Sequence, residues 1–383
     1  MVKKFYFKNY KSFKDQQELE IKPMTVLIGK NSAGKSAVAK LVALIEHSLR
    51  GDSEAPVILT GYENGIELGA VFEDLIYSRS RTGKLELTLV DGSDELNLII
   101  GTEKDIPKIF SWSYNGVEKL GFDNSFHGFH LITDDKSLQT RHFKLKVDYI
   151  GPFRLSPPRE FSDFNLNTQI DKVGYNGEGA YNAFLQDGLT SLSPLVGVVN
   201  AWFESNFEGW GIQVNKDLAP FYQVEITRRK QDVSVNLKDV GQGMSQALPL
   251  IIKAHVAVNE EEVTIIEQPE LHLHPAAHGN LGELFVQSLK DPNRNYIVET
   301  HSQNFVIRLR RLIAEQKYSW FTKDALCIYF VDFDDETGTS SLRRINVDKF
   351  GEVDFWPDNI FRETLDEVVA LRSAQDSFEN DES

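Results

Sequence analysis

Cysteine is nearly absent from this chain: Cys327 is the only one in 383 residues, so no intrachain disulfide can form. It lies in the apolar run ALCIYFVDF, which predicts a strand with a buried thiol in a reducing compartment. Long charge-free apolar runs are also missing. ALPLIIKAHVAV is short and carries Lys253, which excludes a membrane span there. The basic opening MVKKFYFKNYKSFK lacks the apolar stretch that a signal peptide needs after its charges. Cationic excess is lacking too. With 41 Lys and Arg against 57 Asp and Glu, the formal charge of -16 excludes a uniformly basic nucleic-acid binder and leaves only a local patch for such contact. There are no sustained heptads, internal repeats or low-complexity segments, which excludes a long coiled-coil arm. The expectation is a soluble cytoplasmic protein with no membrane partner.

What is present is ordinary in bulk. At 41% hydrophobic and 26% charged residues, the composition is that of a folded protein, and the length suits one large or two interleaved domains. The N-terminus holds three short strand patterns, KKFYFKNYKSF, QELEIK and MTVLIG, followed by a helix over KSAVAKLVALIEHSL with Val38, Leu41, Val42 and Ile45 at helical spacing. From about Ile66 to Ile150 the pattern is mostly β. KLELTLVDGSDELNLII has a DG turn between alternating runs, and HFKLKVDYIGPFR closes what is expected to be an antiparallel lobe. A helical segment, AYNAFLQDGLTSLSPLVGVVNAWFESNF, precedes a return to strand in FYQVEITRRKQDVSVNLKDVG. SQALPLIIKAHVAV predicts a helix with Pro249 in its first turn. Buried strands VTIIE and NYIVET flank a helix from about Pro275 to Leu289, an alternation that indicates a parallel sheet. ALCIYFVDFDDETGTSSLRRINV reads as a hairpin, and DNIFRETLDEVVALRSAQ as a final helix.

The stretch GKNSAGKS, Gly29 to Ser36, matches G-x-x-x-x-G-K-[ST] between an apolar strand and a helix. That context lets backbone N–H groups and a helix N-terminus surround anionic phosphates. Gly29, Asn31 and Gly34 shape the loop, Lys35 pairs with β- and γ-phosphates, and Ser36 ligates Mg²⁺. The chain is therefore expected to bind a nucleoside triphosphate. No guanine-selecting N-K-x-D occurs, which favours ATP. A second buried strand, VTIIE, ends on an acid, Glu267, placed to hold Mg²⁺.

GKNSAGKS, DVGQGMSQALP, IIEQPELHLHP and VETHS, in this order and spacing, resemble the ABC-type ATPase heads of the SMC, RecF and overcoming-lysogenization-defect (OLD) proteins. The resemblance is strongest to the AAA-family ATPases of bacterial mobile-element and anti-phage defence loci. The motifs cover residues 1 to about 305, and the C-terminal part resembles a short domain of unknown function. The implied fold is α/β: a P-loop ABC-type head with a parallel core sheet, an antiparallel β lobe at about 60–150 and a small helical insertion at about 157–220. Residues 306–383 would form a small C-terminal α+β domain. The resemblance further implies a homodimer of heads around ATP and Mg²⁺, with the P-loop of one subunit meeting the signature loop of the other. That loop is Gly241, Gly243 and Ser245 here. It departs from the usual signature, since Gly241 aligns with the serine and Ser245 is displaced. His301 matches the switch histidine near the γ-phosphate.

Such heads carry two adjacent acids at the strand end, whereas here Glu267 is followed by Gln268. Glutamine cannot accept a proton. Either Glu270 activates the attacking water, or Gln268 leaves a slow, ATP-gated switch. His274 and His278 stand at i, i+4 near His272, but no H-E-x-x-H glutamate or cysteine partner supports a metal. The resemblance instead places His272 and His274 at the dimer interface. Arg154 and Arg159 suit either a phosphate or partner contact or surface salt bridges. The leading expectation is an ATPase that controls a separate effector or a DNA transaction in defence or genome maintenance. The alternatives are a self-contained nuclease, with Asp332, Asp334 and Asp335 as its only candidate D-x-D, and a transporter ATPase subunit. DNA contact would rest on lysines 3, 4, 8, 11 and 14 and on Thr227 to Lys230.

Overall fold

The computed structural model describes residues 1–60, 66–120, 126–132, 140, 142–162, 172–357, 360–361 and 367–372. In chain order the elements begin β1 (Lys4–Lys8), β2 (Gln17–Glu20), β3 (Met24–Gly29), α1 (Lys35–Arg50), β4 (Leu85–Asp91), β5 (Asp94–Glu103), β6 (Ile106–Tyr114) and β7 (Val117–Leu120). They continue with the short pair β8 (Phe126–His127) and β9 (His130–Leu131), then β10 (Val147–Ile150), β11 (Phe161–Ser162), α2 (Glu178–Leu189), α3 (Pro194–Asn206), β12 (Gly211–Asn215), β13 (Phe221–Arg228) and β14 (Val233–Asn236). The last are α4 (Gln242–His255), β15 (Glu262–Glu267), α5 (Pro275–Ser288), β16 (Arg294–Glu299), α6 (Gln303–Ala314), β17 (Leu326–Asp334) and β18 (Thr339–Ile345).

The central sheet runs β10-β15-β16-β3-β17-β18. Its first five strands are parallel, and β18 is an antiparallel edge. β3, β15 and β16 are buried along their whole length because both faces are covered. Alternation sends Val26, Ile28, Ile266 and Val298 into one core with α2, α4, α5 and α6. Leu27, Val263, Ile265 and Ile297 go into a second core with α1 and the β lobe. On α1, Val38, Leu41, Val42 and Ile45 are buried in that second core, as their spacing predicts. Each such side chain contributes about 1.5–3 kcal/mol by leaving water.

The lobe is a separate antiparallel sheet, β2-β1-β4-β5-β6-β7. It recruits β1 and β2 from before the expected 60–150 region. It also loses HFKLKVDYI, since β10 pairs in parallel with β15 in the central sheet. Val147 to Ile150 are all buried, as a central position demands, and their flanking alternation is what suggested a half-exposed lobe strand. The expected boundary at residue 305 runs between strands of one sheet, because β17 pairs with β3 from Leu326 to Val331.

Three helical details also differ from expectation. The single segment around residues 178–206 is two helices, broken where Ser193 adopts φ 42° ahead of Pro194. Pro249 lies inside α4 rather than in its first turn. It has no N–H for the Ser245 carbonyl, and the Tyr181 hydroxyl donates there instead at 3.3 Å. Helix α6 was not anticipated, although Phe305, Val306, Leu309, Leu312 and Ile313 form its buried stripe and Ser302 caps it by accepting from Phe305 N. Of the expected final helix, residues 360–361 and 367–372 are described: the first two form a bend and the last six are helical. No helix among the described residues is long and apolar enough to cross a membrane.

Candidate functional site

The carboxyl ends of β3, β15 and β16 lie side by side, and each delivers a polar group to one place. After β3 the chain turns through the phosphate loop into α1, with Gly34 as N-cap at φ 109°. A Cβ there would sit 2.9 Å from Ser12 Oγ and 3.1 Å from the Phe13 ring, so glycine is needed for both conformation and space. Lys35 is buried, and its Nζ donates to the carbonyls of Gly29 (3.1 Å) and Lys30 (2.7 Å). Burial lowers its pKa, against the pull of Glu299 and Glu270. The first turn of α1 carries no acidic side chain, so its N-terminal dipole is uncompensated by the helix itself. Asn31 is exposed on the loop.

Ser36 Oγ donates to Glu299 Oε2 at 2.7 Å. Glu299 ends β16 directly opposite Glu267, which ends β15. Burial and the neighbouring Glu267 push the Glu299 pKa up to about 7. Tyr149 on β10 donates its hydroxyl to Glu267 Oε1. A hydroxyl at a helix N-terminus beside two strand-end carboxylates is an all-oxygen donor set that fits Mg²⁺. The loop and Lys35 fit the phosphates that Mg²⁺ accompanies.

Beyond Glu267 the chain kinks. Gln268 takes φ 44° and its N–H donates to Glu299 O at 2.8 Å. Glu270 Oε1 accepts from His301 N at 2.7 Å, while Oε2 is buried without a partner. Glu270 and His301, both singled out from sequence, are therefore in contact. The His301 side chain has its pKa lowered by burial and then by Lys35. Gly241, exposed, is the N-cap of α4. A Cβ on Gly243 would lie 2.6 Å from His272 O, so α4 begins tightly against the LHLHP segment. Ser245 is buried and its hydroxyl donates to Gln242 O at 3.1 Å.

The histidines have separate surroundings. His272 and His274 are exposed, and His274 accepts from Ala276 N at 3.3 Å as the cap of α5. His278 pairs Nδ1 with Ser302 Oγ (2.8 Å) and Nε2 with Leu273 O (3.1 Å). Of the two arginines, Arg159 forms a bidentate exposed pair with Asp239 at 2.9 and 2.6 Å. Arg154 is buried, and its Nη2 donates to Glu267 O (2.7 Å) and Gln268 O (3.2 Å). Asp332 and Asp334 are exposed on β17 and Asp335 in the turn after it, and Asp334 accepts from Glu336 N and the Thr337 hydroxyl. Most of the N-terminal lysines are engaged: Lys3 with Glu261, Lys4 with Glu18, Lys8 with Glu86, and Lys11 with Leu68 O. Cys327 is buried, and burial pushes its thiol up to about 11.

Sequence reasoning missed Glu299 and left Arg154 open between a phosphate or partner contact and a surface salt bridge. Glu299 had a signal, since it ends an apolar run in VETHS as Glu267 does in VTIIE. Nothing in the sequence separated Arg154 from Arg159, because only the strand order places the loop after β10 beneath the end of β15.

A parallel sheet whose carboxyl edge carries a phosphate loop, paired strand-end acids and a neighbouring histidine defines an ATPase head of the P-loop class. The family described as "AAA domain, putative AbiEii toxin, Type IV TA system" matches residues 24–308, from β3 into α6, and the chain belongs to that family. No curated protein matches it. Among solved structures it is similar to an SMC head bound to the C-winged helix domain of ScpA, at 12% identity and TM-score 0.53, covering 91% of this chain and 98% of that one. It is also similar to an Smc head with an extended coiled coil, bound to the C-terminal domain of ScpA derived from Pyrococcus furiosus. That match has 12% identity and TM-score 0.51, covering 90% of this chain and 96% of that one. At such identity the likeness is one of fold.

Proposed function

We propose that this chain binds ATP with Mg²⁺, hydrolyses it, and uses ATP-dependent pairing of two heads to control a separate effector or a DNA transaction in anti-phage defence or genome maintenance. The observation that carries this reading is the convergence of Lys35, Ser36, Glu267, Glu299 and Glu270 at the carboxyl ends of three adjacent parallel strands. The loop N–H groups and the start of α1 bind the phosphates. Lys35 exchanges its two loop carbonyls for phosphate oxygens. Ser36 and Glu267 hold Mg²⁺, with Glu299 beside them. When bound, Mg²⁺ supplies charge neutralisation on the β- and γ-phosphates.

Of the two candidates for activating water, Glu270 suits the role and Gln268 does not. Glu270 is a carboxylate fixed at one oxygen by His301 N, with the other oxygen unspent. Gln268 is neutral and engages the site through its backbone. Pairing of heads would bring the partner's exposed Gly241 turn to the phosphates, with His272 and His274 at the crossing. Support for a protein partner comes from the similar SMC heads, which are seen bound to ScpA.

The test is steady-state ATP hydrolysis and solution mass, with and without ATP and Mg²⁺, for wild type, Lys35→Ala, Gln268→Glu and Glu270→Gln. Wild type should dimerise with ATP, Lys35→Ala should not, and Glu270→Gln should form a longer-lived dimer. A wild-type chain that stays monomeric with ATP and Mg²⁺ bound would rule out the head-dimer mechanism.

A further inference from the structure

Holding a water for attack takes donors as well as a base, and the structure has unspent donors on a side chain anchored to Gln268, two residues before Glu270. Arg154 follows β10, and its backbone is clamped from α4 in both directions. Arg154 N donates to Gln246 Oε1 at 3.1 Å, and Gln246 Nε2 donates to Arg154 O at 2.8 Å. From that clamp the guanidinium reaches the end of β15 and spends Nη2 on the Glu267 and Gln268 carbonyls. Nε and Nη1 are buried and have no partner, and neither has Glu270 Oε2.

An anchor for two carbonyls does not need a cation. A neutral amide would serve with far less desolvation, and burying extra unpaired donors only adds cost. Burial lowers the Arg154 pKa to about 10, and Glu270 and then Glu267 are the charges that sustain it. Arg154 is hydrogen-bonded to the chain two residues before Glu270, and two donors of the one and one acceptor of the other are left for a third polar group. A water has the matching complement, since it accepts from the donors and donates to the carboxylate.

We propose that Arg154 is a catalytic residue that holds the attacking water together with Glu270. One of Nε and Nη1 donates to one lone pair of the water oxygen and leaves the other free to attack, while Glu270 Oε2 accepts its proton. The assignment rests on the hydrolysis reading above. In the reaction, the bond from the water oxygen to the γ-phosphorus forms. The bond from that phosphorus to the β–γ bridging oxygen breaks, and its electron pair leaves with ADP. The proton passes to Glu270. Because Gln246 belongs to the helix that Gly241 starts, the position of this water is tied to the turn offered to a second head.

The test compares the full-length wild type with Arg154→Lys, Arg154→Ala, Glu270→Gln and the Arg154→Lys/Glu270→Gln double variant. It measures ATP affinity by calorimetry, kcat and KM, and the melting temperature of each chain. Arg154→Lys should bind ATP within about twofold of wild type while kcat falls at least ~10-fold, because the lost contact is made to the water and not to ATP. Added guanidinium should restore part of the Arg154→Ala rate. The double variant should be no slower than Glu270→Gln, since both residues serve one water. Hydrolysis by Arg154→Lys at the wild-type rate overturns the assignment while leaving ATP hydrolysis standing. So does a double variant whose loss is the product of the single losses, or a folded Arg154→Ala that guanidinium does not rescue. A wild-type chain that binds ATP without hydrolysing it overturns the assignment and the hydrolysis reading together.

Discussion

The two ends of the central sheet both bury charge, and they treat it differently. At the amino edge, Lys253 of α4 sits between Asp148 of β10 (2.7 Å) and Glu262 of β15 (2.5 Å). Asp148 also accepts from Val173 N at 2.8 Å and Gly174 N at 3.0 Å. Burial works against both charges. The opposite charges outweigh it, holding Lys253 above its ordinary pKa and Asp148 below. At the carboxyl edge, Lys35 is held by loop carbonyls, Glu299 is pushed up to about 7, and Arg154 and Glu270 keep buried atoms without partners. A satisfied buried network fixes which elements pack together, whereas an unsatisfied one is arranged for something that arrives.

That contrast can be broken by exchanging the outcomes. The largest effect is expected for Lys35→Ala, which should abolish measurable ATP binding by calorimetry and leave the melting temperature near wild type. Retained tight binding would mean that the carboxyl edge is not the nucleotide site. Next, Lys253→Met strands two buried carboxylates and should cost about 3–5 kcal/mol of stability in denaturant unfolding. ATP affinity per folded molecule should be unchanged. A mild effect on stability with a large effect on affinity would show that the amino edge is functional as well.

A smaller effect concerns pH. The folded Glu299 carboxyl, at about 7, keeps its proton above the ordinary value of 4.5 at which the unfolded chain releases it. Its contribution to stability therefore falls as pH rises from about 4.5 to about 7. Glu299→Gln should gain on wild type across that window, by up to about 3 kcal/mol above it, in nucleotide-free unfolding curves. His301, lowered in pKa, acts the other way as pH falls, and it cancels in the comparison. A difference between the two proteins that does not vary with pH would remove Glu299 from the strained set. The smallest effect is expected for Arg159→Ala. Its exposed pair with Asp239 should give no detectable change in melting temperature.

The sequence by itself determined the phosphate loop, the strand before it and the helix after it, because a local motif needs only local context. It also determined the buried strands β15 and β16, whose unbroken apolar runs end on acids, and the contents of α1. Glu267, Glu270 and His301 were legible as strand-end polar groups. Only the tertiary structure decided that β10 leaves the lobe for the central sheet and that β17 joins β3. Strand pairing depends on partners far away in sequence, and a four-residue buried strand looks the same in either sheet. The same pairing decided the fate of the two arginines. They lie five residues apart and looked equivalent in sequence, yet Arg159 stays at the surface with Asp239. Arg154 is carried by β10 under the end of β15, where its Nη2 donates to the Glu267 and Gln268 carbonyls and its Nε and Nη1 are buried without partners.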